Sequence, residues 1–304
     1  MGFGTLDRRR VLALAGAAGF WNVSSVLAQS AMPRRTIPRT GESLPVIGLG
    51  SSKAVQEIAE NGSAPLASVL RELVASGGRV VDTWPRDAAN DAAFGEVINL
   101  PDLRDALWVT TKIDRTGREA GIAQFEATLE NYGRERVDLA QIFSLTDVYT
   151  HWPTLRSLKD DGRARYIGVT VAESRLYDAL DDFLARENPD FVQVNYSLTE
   201  RESESRFLPR LADRGIAVII NRPFMNGAYF DRLANEPLPA WTAEFECASW
   251  AQFSLKYILA NPNLTCVLTE TTNPEHMKEN ALTSTGLLPD EAARQKMRDF
   301  IDML

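Results

Sequence analysis

The chain has 304 residues, of which 44% are hydrophobic and 24% charged, the balance of a folded protein with a sizeable core. Its 33 Lys and Arg are outnumbered by 41 Asp and Glu, for a formal charge of −8; an acidic chain with no basic block beyond its first residues argues against nucleic acid as a partner. No apolar run reaches the roughly 18 residues that a membrane-spanning helix requires, so no stable membrane anchor is expected.

The first thirty residues read as a targeting segment. Asp7-Arg8-Arg9-Arg10 leads into the apolar run VLALAGAAGF, and Ala28-Gln29-Ser30 precedes Ala31. A charged start, a short apolar centre and small residues at −3 and −1 make a secretory signal. The adjacent arginines resemble a twin-arginine signal, which predicts export by the twin-arginine machinery to the periplasm. The boundaries expected are 1–30 for the signal and 31–304 for a single folded domain. The alternative is an amphipathic first helix, but Gly and Ala dominate the run and nothing in it repeats at helical spacing.

From about residue 45 short runs rich in Val and Ile recur: 46–50, 79–83, 107–113, 137–143, 165–171, 191–198, 215–223 and 265–270. Each is read as apolar on both faces, the pattern of buried parallel strands. Helical stretches are expected between them at 65–77, 119–132, 152–161, 174–186, 203–214 and 244–260. Eight strands alternating with helices predict an α/β fold, a (β/α)8 barrel. A doubly wound open sheet is the alternative, but no glycine fingerprint or phosphate loop follows any strand. The longest gap, 225–241, falls after the seventh strand, where a barrel places a loop at its C-terminal mouth. Cys247 and Cys266 are expected as two buried thiols; their spacing fits no metal site.

Several segments, in order, resemble the aldo-keto reductase superfamily. LPVIGLGSS (44–52) is similar to the family's first strand and GGRVVDT (77–83) to its second. LWVTTKI (107–113), ERVDLAQIF (135–143), DGRARYIGVT (161–170), VQVNYSL (192–198) and GIAVIINRPF (215–224) follow as the third to the seventh. NPEHMKEN (273–280) resembles the cofactor-binding segment near the C-terminus. The resemblance implies reduction of carbonyls with NADPH and without a metal, hydride going to carbon and a tyrosine giving a proton to oxygen. In the family a lysine and an aspartate tune that tyrosine, and a histidine orients the substrate.

On that resemblance Asp82 takes the aspartate's place and Lys112 the lysine's. The tyrosine should stand five residues after Asp82, where this chain has Asp87. The histidine should end the fourth strand, where it has Phe143. Lys112 nearby would hold Asp87 ionised, so a solvated loop residue is the preferred reading of Asp87 over a proton donor. Tyr149 and His151, on the loop expected after the fourth strand, are candidate substitute acids, with ordinary loop residues as the alternative.

The cofactor positions implied are Gly50 and Ser51 at the first strand end, Thr170 in the place of a serine, and Gln193 for the nicotinamide amide. Asn221 replaces a stacking aromatic residue, and Arg222 stands where a small polar residue meets the pyrophosphate; its guanidinium suits phosphate. Glu279 and Asn280 match the adenine-side pair, and His276 stands where an arginine often reaches the adenine. Glu270 falls where a basic residue often holds the 2′-phosphate of NADP, which shifts the expectation towards NAD. Three functions are carried forward. The first is an NAD(P)(H)-dependent oxidoreductase acting on a small-molecule carbonyl or alcohol with a non-standard proton donor. The second is a barrel that binds a ligand or partner without catalysis. The third is a cofactor-free lyase or isomerase using Lys112 and Asp87 as an acid–base pair.

Overall fold

The computed structural model describes residues 32–50, 58–83 and 87–304. The segment expected to be a signal, together with Ser51 and Trp84, lies outside them. An antiparallel hairpin comes first, β1 (Arg34–Thr36) against β2 (Ser43–Pro45), with Arg35 opposite Leu44. Eight parallel strands follow. They are β3 (Ile47–Gly50), β4 (Val80–Asp82), β5 (Trp108–Ile113), β6 (Val137–Phe143), β7 (Ala164–Thr170), β8 (Phe191–Asn195), β9 (Ala217–Asn221) and β10 (Cys266–Thr269). They close in chain order, β10 pairing with β3 through Val267↔Ile47 and with β9 through Cys266↔Ile219. Closure excludes the open doubly wound sheet, and every strand falls within its expected run except β7, which starts one residue early at Ala164.

The inward positions change character along the barrel axis. At the strand starts they are apolar. Val80, Trp108, Leu139, Tyr166 and Phe191 form one buried cluster with Ile37 and Leu44 of the hairpin, and the rings of Trp108 and Tyr166 lie 5.6 and 5.3 Å from that of Phe191. The hairpin therefore plugs the N-terminal end. Arg35 ties it down, donating to the carbonyls of Asn261 (2.8 Å), Leu264 (2.7 Å) and Leu259 (2.5 Å) at the end of helix Trp250–Leu259. Its strands have three residues each and two of them are arginines, so no apolar periodicity announced it.

Two to four residues further along the strands, the inward positions are Asp82, Thr110, Lys112, Gln141 and Gln193, all buried. This corrects the expectation of strands apolar on both faces: the barrel has an apolar floor and a polar upper layer. Polar groups are tolerated inside because they satisfy one another.

The helices agree with expectation at 64–75 and 118–131 and depart from it in three instructive places. The helix expected at 203–214 is two, Glu202–Arg206 and Leu208–Asp213. Pro209 cannot donate into a continuing helix and restricts the residue before it. Helix Trp250–Leu259 begins only where Ser249 caps it, accepting from the Gln252 amide. The helix expected from Trp152 starts at Val148 instead and carries Pro153 inside it. Proline prefers a first turn, and here it lies in the second turn. Among the described residues no helix is long and apolar enough to cross a membrane.

Candidate active site

A cavity of about 380 Å³ opens at the C-terminal ends of the strands. Its wall takes Asp82, Lys112, Phe143, Thr170, Gln193 and Asn221 from six consecutive strands. The connection after β9 adds Phe224 and Phe230, whose rings lie 4.9 Å apart; Phe230 belongs to the 225–241 stretch expected at the mouth, and Phe224 just precedes it. Gly50, Arg222 and Glu270 complete the ionisable and small residues that matter below.

The inner wall is a continuous hydrogen-bonded layer centred on Asp82. One carboxylate oxygen, Oδ2, accepts from Lys112 Nζ at 2.5 Å, and Lys112 also donates to the Thr83 carbonyl at 2.9 Å. The other, Oδ1, accepts from Thr110 Oγ1 and from the side-chain amides of Gln141 and Gln193, each at 3.1 Å. Gln193 Nε2 also donates to Gln141 Oε1 at 3.3 Å. Its oxygen accepts from Thr170 Oγ1 and Asn221 Nδ2, both at 3.1 Å. The second N–H of Asn221 goes to the Val171 carbonyl at 3.1 Å.

That layer gathers five of the expected residues: Asp82, Lys112, Thr170, Gln193 and Asn221. Thr110 and Gln141 were missed. Their only signal was alternation with Lys112 and Phe143 along strands read as apolar throughout. Asn221, expected only as the replacement of a stacking ring, instead completes the layer, and its Oδ1 is buried with no hydrogen-bond partner among the described residues. Arg222 has a left-handed backbone (φ 52°), an uncommon conformation for a non-glycine residue. Its Nη1 donates to the Ala172 carbonyl at 2.7 Å, while Nε is buried with no hydrogen-bond partner among the described residues.

Other expected residues lie elsewhere. Asp87 is exposed and caps helix Ala88–Ile98, accepting from the backbone N–H of Asn90 at 3.0 Å and from its side-chain amide at 2.5 Å. The backbone hydrogen bond, then the side-chain one, hold its carboxyl below the ordinary aspartate range. It is not part of the cavity wall, and the lysine beside the cavity pairs with Asp82. The structure thus does not assemble Lys112 and Asp87 as an acid–base pair.

His151 is fully buried in helix Val148–Asp160, its Nε2 2.6 Å from the Arg115 carbonyl. Helix Arg118–Asn131 packs so closely on it that a Cβ on Gly121 would lie 2.3 Å from the ring. Tyr149 is half exposed, with Arg186 5.0 Å from its ring centre. Neither lines the cavity, which corrects their placement on a mouth loop. On helix Pro274–Thr283, His276 is exposed, Asn280 is buried, and Glu279 accepts from Ser249 Oγ. Cys247 and Cys266 are buried and unbridged; burial pushes the Cys247 thiol up to about 11. Among the described residues no group of three or more His, Cys, Asp or Glu is placed to hold a metal ion.

The chain is 24% identical over 199 residues to the NADH-specific methylglyoxal reductase of Escherichia coli K12, a match covering 52% of this chain and 60% of that protein. The chain thus aligns with less than two thirds of that relative's length. Among solved structures, an aldo-keto reductase from Klebsiella pneumoniae in complex with NADPH superposes with a TM-score of 0.72 at 20% identity, covering 88% of this chain and 95% of that one. The holo form of an aldo-keto reductase from Bacillus halodurans gives 0.71 at 17% identity, covering 88% and 96%. At such identities these two speak for the fold alone. The sequence pattern of the aldo/keto reductase family, in contrast, matches residues 46–295, from the residue before the first barrel strand into the last helix. On that match the chain belongs to the aldo/keto reductase family.

Proposed function

We propose that this protein is an NAD(P)(H)-dependent oxidoreductase that interconverts a small carbonyl compound and its alcohol, with Lys112 in the proton-donor role. The observation that carries the reading is the Lys112–Asp82 pair on the inner wall of a cavity at the barrel mouth, where catalysis on this fold takes place. The unsatisfied Asn221 Oδ1 and Arg222 Nε in the same wall fit a polar cofactor head. Asn221 and Gln193 would lie at the nicotinamide and Arg222 at the phosphates. Glu270 in the wall opposes a 2′-phosphate, which favours NAD(H), in keeping with the name of the Escherichia coli relative.

Bound NAD(P)H supplies the hydride for reduction. What the chain must add is a proton for the oxygen of the reduced carbonyl. Among the described residues of the wall there is no tyrosine and no histidine. Asp82 and Glu270 are acceptors when ionised, and arginine does not release a proton. Lys112 is left as the residue that can. In the transfer its N–H bond breaks as the O–H bond forms, and Asp82 Oδ2 keeps the resulting amine oriented through the hydrogen bond it already accepts. Water from the open mouth restores the ammonium. Phe143, Phe224 and Phe230 give the substrate an apolar wall in place of the family's histidine.

One observation favours the second reading, a barrel that binds without turning over: the layer around Asp82 is complete within the protein. Titration of the purified full chain with NADH and NADPH, followed by fluorescence, separates the two. Saturable binding of at least one below about 1 mM, the upper end of ordinary Michaelis constants, is expected. Lys112→Met is expected to keep that binding and lose hydride transfer. No binding removes the oxidoreductase reading, and transfer undiminished in Lys112→Met removes Lys112 from the proton step.

We also propose twin-arginine export to the periplasm, on the strength of Arg8-Arg9-Arg10 and the weakly apolar run that follows. Replacing the three arginines by lysine should leave the protein in the cytoplasmic fraction; unchanged periplasmic recovery would refute this.

A further inference from the structure

We infer that Asn221 is the residue of the cavity that recognises a primary carboxamide, through its side-chain oxygen. The inference starts from what Asp82 imposes on its neighbours. An ionised carboxylate only accepts hydrogen bonds. Gln141 and Gln193 both lie 3.1 Å from Asp82 Oδ1, so both must turn their NH2 groups towards it. The oxygen of Gln193 is thereby pointed at Thr170 and Asn221. Asn221 must in turn present its NH2 to that oxygen, and its second N–H is taken by the Val171 carbonyl. The amide orientations are therefore fixed by the network and not by choice.

Two consequences follow for a ligand. Gln193 has both N–H groups and both lone pairs engaged, so the residue that occupies the family's amide-binding position has nothing left to offer. Asn221 has one group left, the Oδ1 acceptor, buried and unpartnered among the described residues. The next residue, Arg222, has its Nε–H buried and without a hydrogen-bond partner among the described residues. Both residues line the cavity. A buried polar atom without a partner is costly and is recovered by a ligand that supplies one. A primary carboxamide carries the complement that Asn221 lacks, an N–H donor.

The chemistry is shared by two sources, the nicotinamide end of a dinucleotide and a free primary amide acting as substrate. The first rests on the cofactor reading above; the second does not. Calorimetry on the full chain distinguishes them with two matched pairs. NAD⁺ is compared with 3-acetylpyridine adenine dinucleotide, and nicotinamide with 3-acetylpyridine. In each pair a methyl group replaces the NH2 and the carbonyl is kept. ADP-ribose, which has neither, serves as the reference.

The expected result is that the amide of at least one pair binds roughly tenfold tighter than its methyl ketone, the weight of one good hydrogen bond. In Asn221→Leu that preference should fall to about one, with any affinity for ADP-ribose kept. A preference confined to the small pair, with no dinucleotide bound, sinks the cofactor reading and leaves this inference standing. Dinucleotides that bind with equal affinity, with no preference in the small pair either, overturn this inference and leave the cofactor reading standing. If neither pair shows a preference, or if Asn221→Leu retains it, the assignment is wrong. The comparison in the unaltered protein decides the matter even if the variant does not fold.

Discussion

Asp82→Ala is expected to destabilise the protein by about 3–5 kcal/mol, the usual loss when one partner of a buried ion pair is removed. Asp82 is 6% exposed and Lys112 3%, so solvent cannot take over from either. The substitution deprives the Lys112 ammonium of its carboxylate and takes the shared acceptor from Thr110, Gln141 and Gln193. Each neutral donor left buried without an acceptor costs about 1–3 kcal/mol, but the two glutamines can turn towards each other, which keeps the total near the ion-pair figure. Lys112→Met should cost less than Asp82→Ala. The carboxylate it leaves still accepts from three donors, and the methionine preserves most of the apolar stem. Chemical denaturation of the two variants beside the unaltered protein tests this. A loss below about 0.5 kcal/mol in Asp82→Ala, the level of an ordinary surface change, would show that the layer does not hold the barrel mouth together.

Gly95→Ala should be damaging in spite of its chemistry. In the middle of a helix alanine is favoured over glycine by about 1 kcal/mol, and Gly95 lies inside helix Ala88–Ile98. A Cβ there would lie 2.0 Å from the backbone oxygen of Asn131 and 2.9 Å from the Cα of Tyr132, at the end of helix Arg118–Asn131. These are main-chain atoms at a helix end, so no side-chain rotation relieves the clash. The two helices are stitched at the same point by Asn99, whose Nδ2 donates to the carbonyls of Gly95 (2.8 Å) and Tyr132 (2.5 Å). Separating them breaks that link as well. A net loss of about 3 kcal/mol, the upper range for overpacking, is expected. Gly50→Ala is the control, since its Cβ would meet Leu268 at an ordinary 3.5 Å. Thermal melts should show a large drop for the first and little change for the second; equal drops would mean the helices are not so closely apposed.

The strands were legible because each carries a Val- or Ile-rich run with clear ends, and eight such runs allow few architectures. The helix with His151 was misread for a local reason. Pro153 would suit the first turn of the helix expected from Trp152 but is the sixth residue of helix Val148–Asp160, and nothing in the sequence marks the true start. The site was legible only as far as single positions match a known pattern. Asp82, Lys112 and Gln193 could be named that way, but what they do to one another could not. The bonds that join Asp82 to Gln141 and Gln193 span 59 and 111 residues, and only barrel closure brings them together. Asp87 shows the converse. It was singled out by its distance from Asp82 along the chain, and the backbone beyond the strand turns it into a helix cap.

The clasp made by Arg35 has a bearing on how the barrel comes into being. Its three acceptors lie 224 to 229 residues further along the chain. At the usual 5–20 residues per second of synthesis, the hairpin emerges about 10–45 s before the carbonyls that hold it. Contacts of such separation form late, because a long loop must close before they reward it. Ile37 and Leu44, destined for the barrel floor, therefore wait uncovered while the barrel around them is being made. The plug is the first of the described elements to be made and waits longest to be fastened.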